Sequence, residues 1–130
     1  MILGTADENL AVAARFMQAL EACDLDAVRG LYASDARLWH NFDEQLQSVE
    51  ENIKTLQWIH GKLDNLKYEI VRLEPIPDGY YQQHVLRGTL ATGASFAMPA
   101  CAIVKVRQGK IVSVDEYLDS AHTLPLRQSA

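Results

Sequence analysis

Apolar residues in the first half of the chain recur mostly at the three- and four-residue spacing of helices. In the second half they alternate every two residues, as in strands. Thr5-Ala-Asp-Glu8 has the form of a capping box, in which a Thr hydroxyl takes an amide of the first turn and the Glu reaches back. Val12, Phe16, Ala19, Leu20 and Cys23 follow at helical spacing and predict a first helix from about residue 6 to 22. Asp24 is placed to cap a second, short helix with Leu25, Val28, Leu31 and Tyr32 on one face. Asp35 breaks that pattern. Ala36 to Phe42 then reads as a strand, with Leu38, His40 and Phe42 on one side and Arg37, Trp39 and Asn41 on the other.

Ser48-Val-Glu-Glu51 is a second capping box, and it predicts a third helix to about Lys62 that carries Ile53, Leu56, Trp58, Ile59 and Leu63. Four strands follow: Leu66 to Pro75, Gly79 to Ala91, Ser95 to Arg107 and Lys110 to Asp119. Asp78-Gly79, Thr92-Gly93 and Gln108-Gly109 supply the hairpin turns between them. Leu124 to Ala130 reads as a tail. The order α-α-β-α-β-β-β-β, helices first and then an antiparallel meander, is an α+β plan. A chain of 130 residues without a repeat or linker reads as one domain, residues 1–130.

Composition narrows the class. Hydrophobic residues are 48% and charged ones 22%, which excludes a disordered chain. A net charge of −5 argues against a nucleic-acid partner and against a polybasic membrane anchor. The longest apolar run, Phe96 to Val104, is interrupted by Pro99 and too short to span a bilayer, and no signal peptide is evident. Cys23 and Cys101 form no CxxC and read as buried free thiols, so the expected location is the cytoplasm. No Gly-rich phosphate loop or GxSxG elbow occurs, so no cofactor is implied.

Candidate chemistry comes from strand parity. His40 alternates with Leu38 and Phe42, His84 with Leu86, and Glu116 with Val114 and Leu118. Each is a polar group on an otherwise apolar face, where burial is costly unless partners are found. Glu116 accepting from an imidazole N–H would satisfy both groups, fix the tautomer and raise the basicity of the ring. The competing reading makes each a satisfied core residue, or turns Glu116 outward. The three lie on different strands without local ligand spacing, so no metal site is expected. Tyr32, Trp58, Met98 and Tyr117 are candidate pocket residues, as are Leu38, Phe42, Leu86 and Leu118 by parity. Tyr80-Tyr-Gln-Gln83 reads as a strand start with exposed polar positions.

The order and lengths resemble the nuclear-transport-factor-2-like superfamily. Three stretches carry the resemblance: Phe16 to Leu20 with Asp24 and Leu31 to Ala36; Gly109 to Asp119; and Leu124-Pro-Leu-Arg127. They are similar to ketosteroid isomerases, SnoaL-like polyketide cyclases and limonene epoxide hydrolases. The resemblance implies a cone-shaped α+β barrel, three N-terminal helices packed into a strongly curved, mixed but mostly antiparallel sheet, and a homodimer. It places His40 where isomerases carry a general-base aspartate and epoxide hydrolases a water-orienting asparagine. His84 falls at an arginine of the epoxide hydrolases and Glu116 at their water-activating aspartate. Leu86 replaces their proton-donating acid, while Phe16 and Ala102 replace the isomerase oxyanion pair, so neither catalytic set is intact. The function implied is cofactor-free general acid/base chemistry on a small hydrophobic ring compound, of isomerase, cyclase, dehydratase or epoxide hydrolase type, with His40, His84 and Glu116 as the catalytic residues. The alternatives are a non-catalytic protein binding a small hydrophobic molecule in the same fold, and a structural dimerisation domain.

Overall fold

The computed structural model describes residues 4–128 of the chain. Helix α1 (Ala6–Glu21) starts where the Thr5 hydroxyl accepts from the Glu8 amide. It packs Val12, Ala13, Phe16, Ala19 and Leu20 into the core. Asp24 caps α2 (Leu25–Leu31) by accepting from the Ala27 amide. The chain then runs directly into β1 (Tyr32–His40). A short β2 (Leu46–Gln47) precedes α3 (Val49–Lys62), whose capping box is complete: the Ser48 hydroxyl accepts from the Glu51 amide, and the Glu51 carboxylate accepts from the Ser48 amide. The meander follows as β3 (Asp64–Ile76), β4 (Gly79–Thr89), β5 (Ser95–Arg107) and β6 (Lys110–Leu118). A 3-10 turn (Ser120–Thr123) and α4 (Leu124–Gln128) end the described chain.

The strands form one open sheet in the order β2-β1-β6-β5-β4-β3. It is mixed: β1 runs parallel to β6 and every other pair is antiparallel. One face is dry. Along β5, Phe96, Met98, Ala100, Ala102, Val104 and Val106 are buried while Ser95, Ala97, Pro99 and Lys105 are exposed, as expected of a sheet covered on one side. The register is irregular between Tyr32 and Arg37, between Ile70 and Arg72, and between Lys105 and Val106, the kind of break at which strands bend and twist more strongly.

The turns obey local chemistry. Gln108 and Gly109 have φ of 52° and 74°, the double positive φ of a tight two-residue hairpin. Gly79 is required for another reason: a Cβ there would lie 1.9 Å from the Val104 carbonyl oxygen.

Five sequence expectations need correction. The first strand spans Tyr32–His40 rather than Ala36 to Phe42, so Tyr32 belongs to the sheet and not to a helix face. Phe42 falls in the following turn and is 48% exposed. The expected tail is a 3-10 turn and a helix that puts Leu126, 1% exposed, into the core; Ser129 and Ala130 lie outside the described residues. Neither thiol is fully buried. Cys23 sits exposed in the α1–α2 turn with φ of 54°, and Cys101 is half-buried on the outer face of β5; both are free. Tyr80 and Gln82 of the supposed exposed strand start are instead among the most buried side chains, at 1% and 2% exposure. They share parity with His84 and Leu86, and β4 lies between β3 and β5 with that face against the helices.

Candidate functional site

Register delivers the site. His40 of β1 pairs with Glu116 of β6, Glu116 with Ala102 of β5, and Ala102 with Gln82 of β4, so one row across the sheet carries all four on the covered face. His84 lies two residues beyond Gln82 on the same face. Asn41 fixes the β1–β6 register from the end of the strand. Its backbone N–H donates to the Glu116 carbonyl, and its side-chain Oδ1 accepts from the Leu118 N–H. Parity had placed Asn41 only on the side of the strand opposite His40.

The three ionisable side chains converge. His40 Nε2 lies 3.3 Å from Glu116 Oε1, and His84 Nε2 lies 4.0 Å from Glu116 Oε2. The longer separation is too great for a direct hydrogen bond and leaves room for an intervening oxygen. His84 Nδ1 is 2.9 Å from Gln82 Nε2. The same amide nitrogen also donates to Met17 Sδ at 3.4 Å, so both its protons are used with the amide in this orientation. With the amide in that orientation Nδ1 of His84 accepts, and its proton resides on Nε2, facing Glu116. Tyr68 packs edge-on against the His84 ring at 5.4 Å between centroids and holds its plane.

The two imidazoles are tuned in opposite directions. Burial works against a charge on His40, but the Glu116 carboxylate, helped by the Asp43 charge, outweighs it and holds His40 above the ordinary histidine value. Burial dominates at His84 and holds it below that value, with Glu116 offsetting only part. One histidine is thus readily protonated and the other is kept neutral as an N–H donor.

Two adjoining cavities flank this cluster. An inner one of about 90 Å³ lies between α1, α3 and the sheet and is lined by Tyr32, Asn52, Tyr80, Gln82 and His84 among others. An outer one of about 420 Å³ is lined by Phe42, Trp58, Leu118, Leu126 and Arg127 among others. His40, Glu116, Thr55, Ile59 and Met98 line both, so the charged pair stands in the common wall.

The expected pocket residues divide accordingly. Tyr32, Leu38 and Leu86 line the inner cavity, Phe42, Trp58 and Leu118 the outer, and Met98 both. Trp58 is 43% exposed, so it borders the outer cavity rather than filling the core. Tyr117 faces the other way. It packs edge-on against Trp39 on the outer side of the sheet, because it alternates with Glu116.

Sequence reasoning missed Tyr80, Gln82 and the pair formed by the Tyr32 hydroxyl donating to Asn52 Oδ1 at 2.8 Å. Parity with His84 was the available signal for the first two. Asn52 lay hidden among helix polar positions. Among the described residues no three His, Cys, Asp or Glu side chains are placed to hold a metal ion. Nor is any described helix long and apolar enough to cross a membrane.

IdmH from Streptomyces antibioticus, described as a candidate polyketide cyclase, superposes with a TM-score of 0.80 at 20% identity, covering 92% of this chain and 97% of that one. An LEH-like epoxide hydrolase of M. tuberculosis gives 0.74 at 16% identity over 95% and 92%. A protein of ketosteroid isomerase-like fold from Catenulispora acidiphila, in complex with trimethylamine, gives 0.76 at 16% identity over 92% and 93%. At these identities the likeness shows the fold alone. No curated protein matches the sequence. The model of the SnoaL-like domain matches residues 13–114, which run from α1 through all but the last residues of β6, and by that match over most of its length the chain belongs to the SnoaL-like family.

Proposed function

We propose that the chain, acting as one domain, is a SnoaL-like enzyme that performs cofactor-free general acid/base chemistry on a small hydrophobic ring compound. The observation that carries this reading is the convergence of His40, His84 and Glu116, from three strands, in the wall between the two cavities. With Nε2–H of His40 directed at Glu116, Nδ1 carries the lone pair and takes a proton from a carbon acid or a bound water. Glu116 orients the ring and raises its basicity toward working pH. His84, neutral with its proton on Nε2, donates to the oxygen that gains charge. Isomerisation, cyclisation, dehydration and epoxide opening all use these roles.

The test is turnover of a panel containing a steroid enone, a terpenoid epoxide and an aromatic polyketide mimic, followed by mass-resolved chromatography. Wild type is expected to convert a member of the panel, and His40→Ala to lose about a hundredfold or more of that rate while remaining folded, the usual size of a general acid–base contribution. Full activity in His40→Ala overturns the assignment.

One observation favours a second reading, a binding protein without turnover. The inward position beside His84 holds Leu86, an apolar side chain where epoxide opening calls for a proton donor. Saturable binding of a panel member with no conversion supports that reading.

We also propose a homodimer, formed through the outer sheet face on which Trp39, Val85, Pro99 and Tyr117 lie. Light scattering at micromolar concentration is expected to give twice the chain mass, and a stable monomer refutes it. The free thiols fit a cytoplasmic location.

A further inference from the structure

Two residues that line the inner cavity each carry a polar atom without a hydrogen-bond partner among the described residues. Gln82 Oε1 and the Tyr80 hydroxyl are buried and have no hydrogen-bond partner among the described residues. Their side chains are 2% and 1% exposed, and both line the inner cavity. Buried polar groups are nearly always paired, so two orphans on residues that line one cavity point to a missing partner. With its nitrogen on His84 Nδ1 and Met17 Sδ, the Gln82 amide presents Oε1 as an acceptor with no donor. The Tyr80 hydroxyl, held protonated by burial, offers one donor and one acceptor. The complementary group must therefore donate to Gln82 and can accept from Tyr80. A hydroxyl does both, a ketone oxygen can serve only Tyr80, and a hydrocarbon serves neither.

Volume fixes how such a group enters. A cavity of about 150 Å³ is needed to hold benzene. The inner cavity, at about 90 Å³, has room for an oxygen and a carbon or two but not for a ring. The outer cavity of about 420 Å³ has that room, with the faces of Phe42 and Trp58 in its wall.

We propose that the inner cavity is a hydroxyl-recognition subsite. A ring compound sits in the outer cavity and extends a hydroxyl-bearing edge past His40 and Glu116 to Gln82 and Tyr80. The ligand class is thus a ring alcohol or phenol, not a hydrocarbon or a simple ketone. The inference rests on the proposed binding of a small hydrophobic molecule and deepens it. It also gives Gln82 two tasks, reading the hydroxyl through Oε1 and holding the tautomer of His84 through Nε2.

The experiment compares tetralol, tetralone and tetralin, one two-ring frame carrying a hydroxyl, a ketone and no oxygen, by calorimetry on the full chain. Tetralol is expected to bind about tenfold more tightly than the other two, the effect of one or two net hydrogen bonds. Tyr80→Phe and Gln82→Leu each remove one of the two hydrogen bonds and are each expected to cut tetralol's advantage over tetralin from about tenfold to about threefold, with tetralin's own affinity unchanged. If Gln82→Leu does not fold, the near-isosteric Tyr80→Phe decides alone. A crystal of the tetralol complex is expected to show the hydroxyl within hydrogen-bond reach of Gln82 Oε1. Equal affinity for the three compounds, no tetralol binding at millimolar concentration, or a crystal with only water on Gln82 and Tyr80 overturns the proposal. Only binding is read. A hydroxyl preference in a protein without turnover therefore upholds the subsite and removes the catalytic reading, and turnover without the preference does the reverse.

Discussion

Removing one oxygen, in Tyr32→Phe, tests the packing between α3 and the sheet. The Tyr32 hydroxyl donates to Asn52 Oδ1 at 2.8 Å, and both residues are buried. The amide of Asn52 continues the chain by donating to Gln47 Oε1, and Gln47 Nε2 donates to the Thr55 hydroxyl. Phenylalanine keeps the ring and its edge-on contact with Phe16. What is lost is one net hydrogen bond, worth about 1 kcal/mol, and what is added is a carboxamide oxygen left dry. Leaving a buried acceptor unpaired brings the total to about 1–3 kcal/mol. With a urea m-value of about 2 kcal/mol/M, the unfolding midpoint is expected to fall by about 0.5–1.5 M. Burial holds the Tyr32 phenol well above its ordinary value, so the loss is expected to be the same across neutral and mildly alkaline pH. A double-mutant cycle isolates the pair: in an Asn52→Leu background, Tyr32→Phe is expected to cost close to nothing, because the acceptor it orphans is gone. A loss below about 0.3 kcal/mol in the wild-type background, or equal losses in both, would refute the claim that this hydrogen bond holds α3 on the sheet.

Two further predictions follow from the charges and from the C-terminus. Glu116→Gln keeps the shape and removes the charge, so both His40 and His84 are expected to titrate lower by NMR than in wild type; an unmoved His40 refutes the pairing. Raised His40 contributes stability that is fully present below the ordinary value of 6.5 and fades as pH rises through its folded value, while lowered His84 loses stability as pH falls below 6.5. Glu116→Gln should therefore be increasingly destabilised relative to wild type as pH drops through the raised His40 value and on below 6.5. Leu126→Ala is expected to cost about 2–3 kcal/mol by urea unfolding, because the side chain is 1% exposed; a loss below about 0.5 kcal/mol would make the last helix a tail after all.

Alternation made much of the site legible. Val114, Glu116 and Leu118 carry one face whatever the sheet does, and a carboxylate there must find partners, so His40 and His84 could be named before any coordinates. What alternation does not supply is depth. Tyr80 and Gln82 share parity with His84, yet polar residues beside a turn read as solvated until β4 is known to lie inside the sheet with the helices above it. The strand placement of Phe42 fails for a related reason, since parity projects a strand past the point where the chain turns, although the side chain still lines the outer cavity. Leu124 to Gln128 has too few residues for helical periodicity to register, and its burial comes from the last strand and turn that deliver it.

The parallel pairing of β1 with β6 also has a consequence in time. His40 and Glu116 are brought together by strands from opposite ends of the chain; the Asn41–Leu118 hydrogen bond that locks their register spans 77 residues. Closing so long a loop is slow and comes late, after the local hairpins β3–β4 and β4–β5 can form. During synthesis no charged pair exists until the last strand has left the ribosome and inserted between β1 and β5. A nascent chain stalled before β6 would present an unfinished core with His40 unpartnered, and acquisition of the raised His40 titration would mark the moment at which the two ends meet.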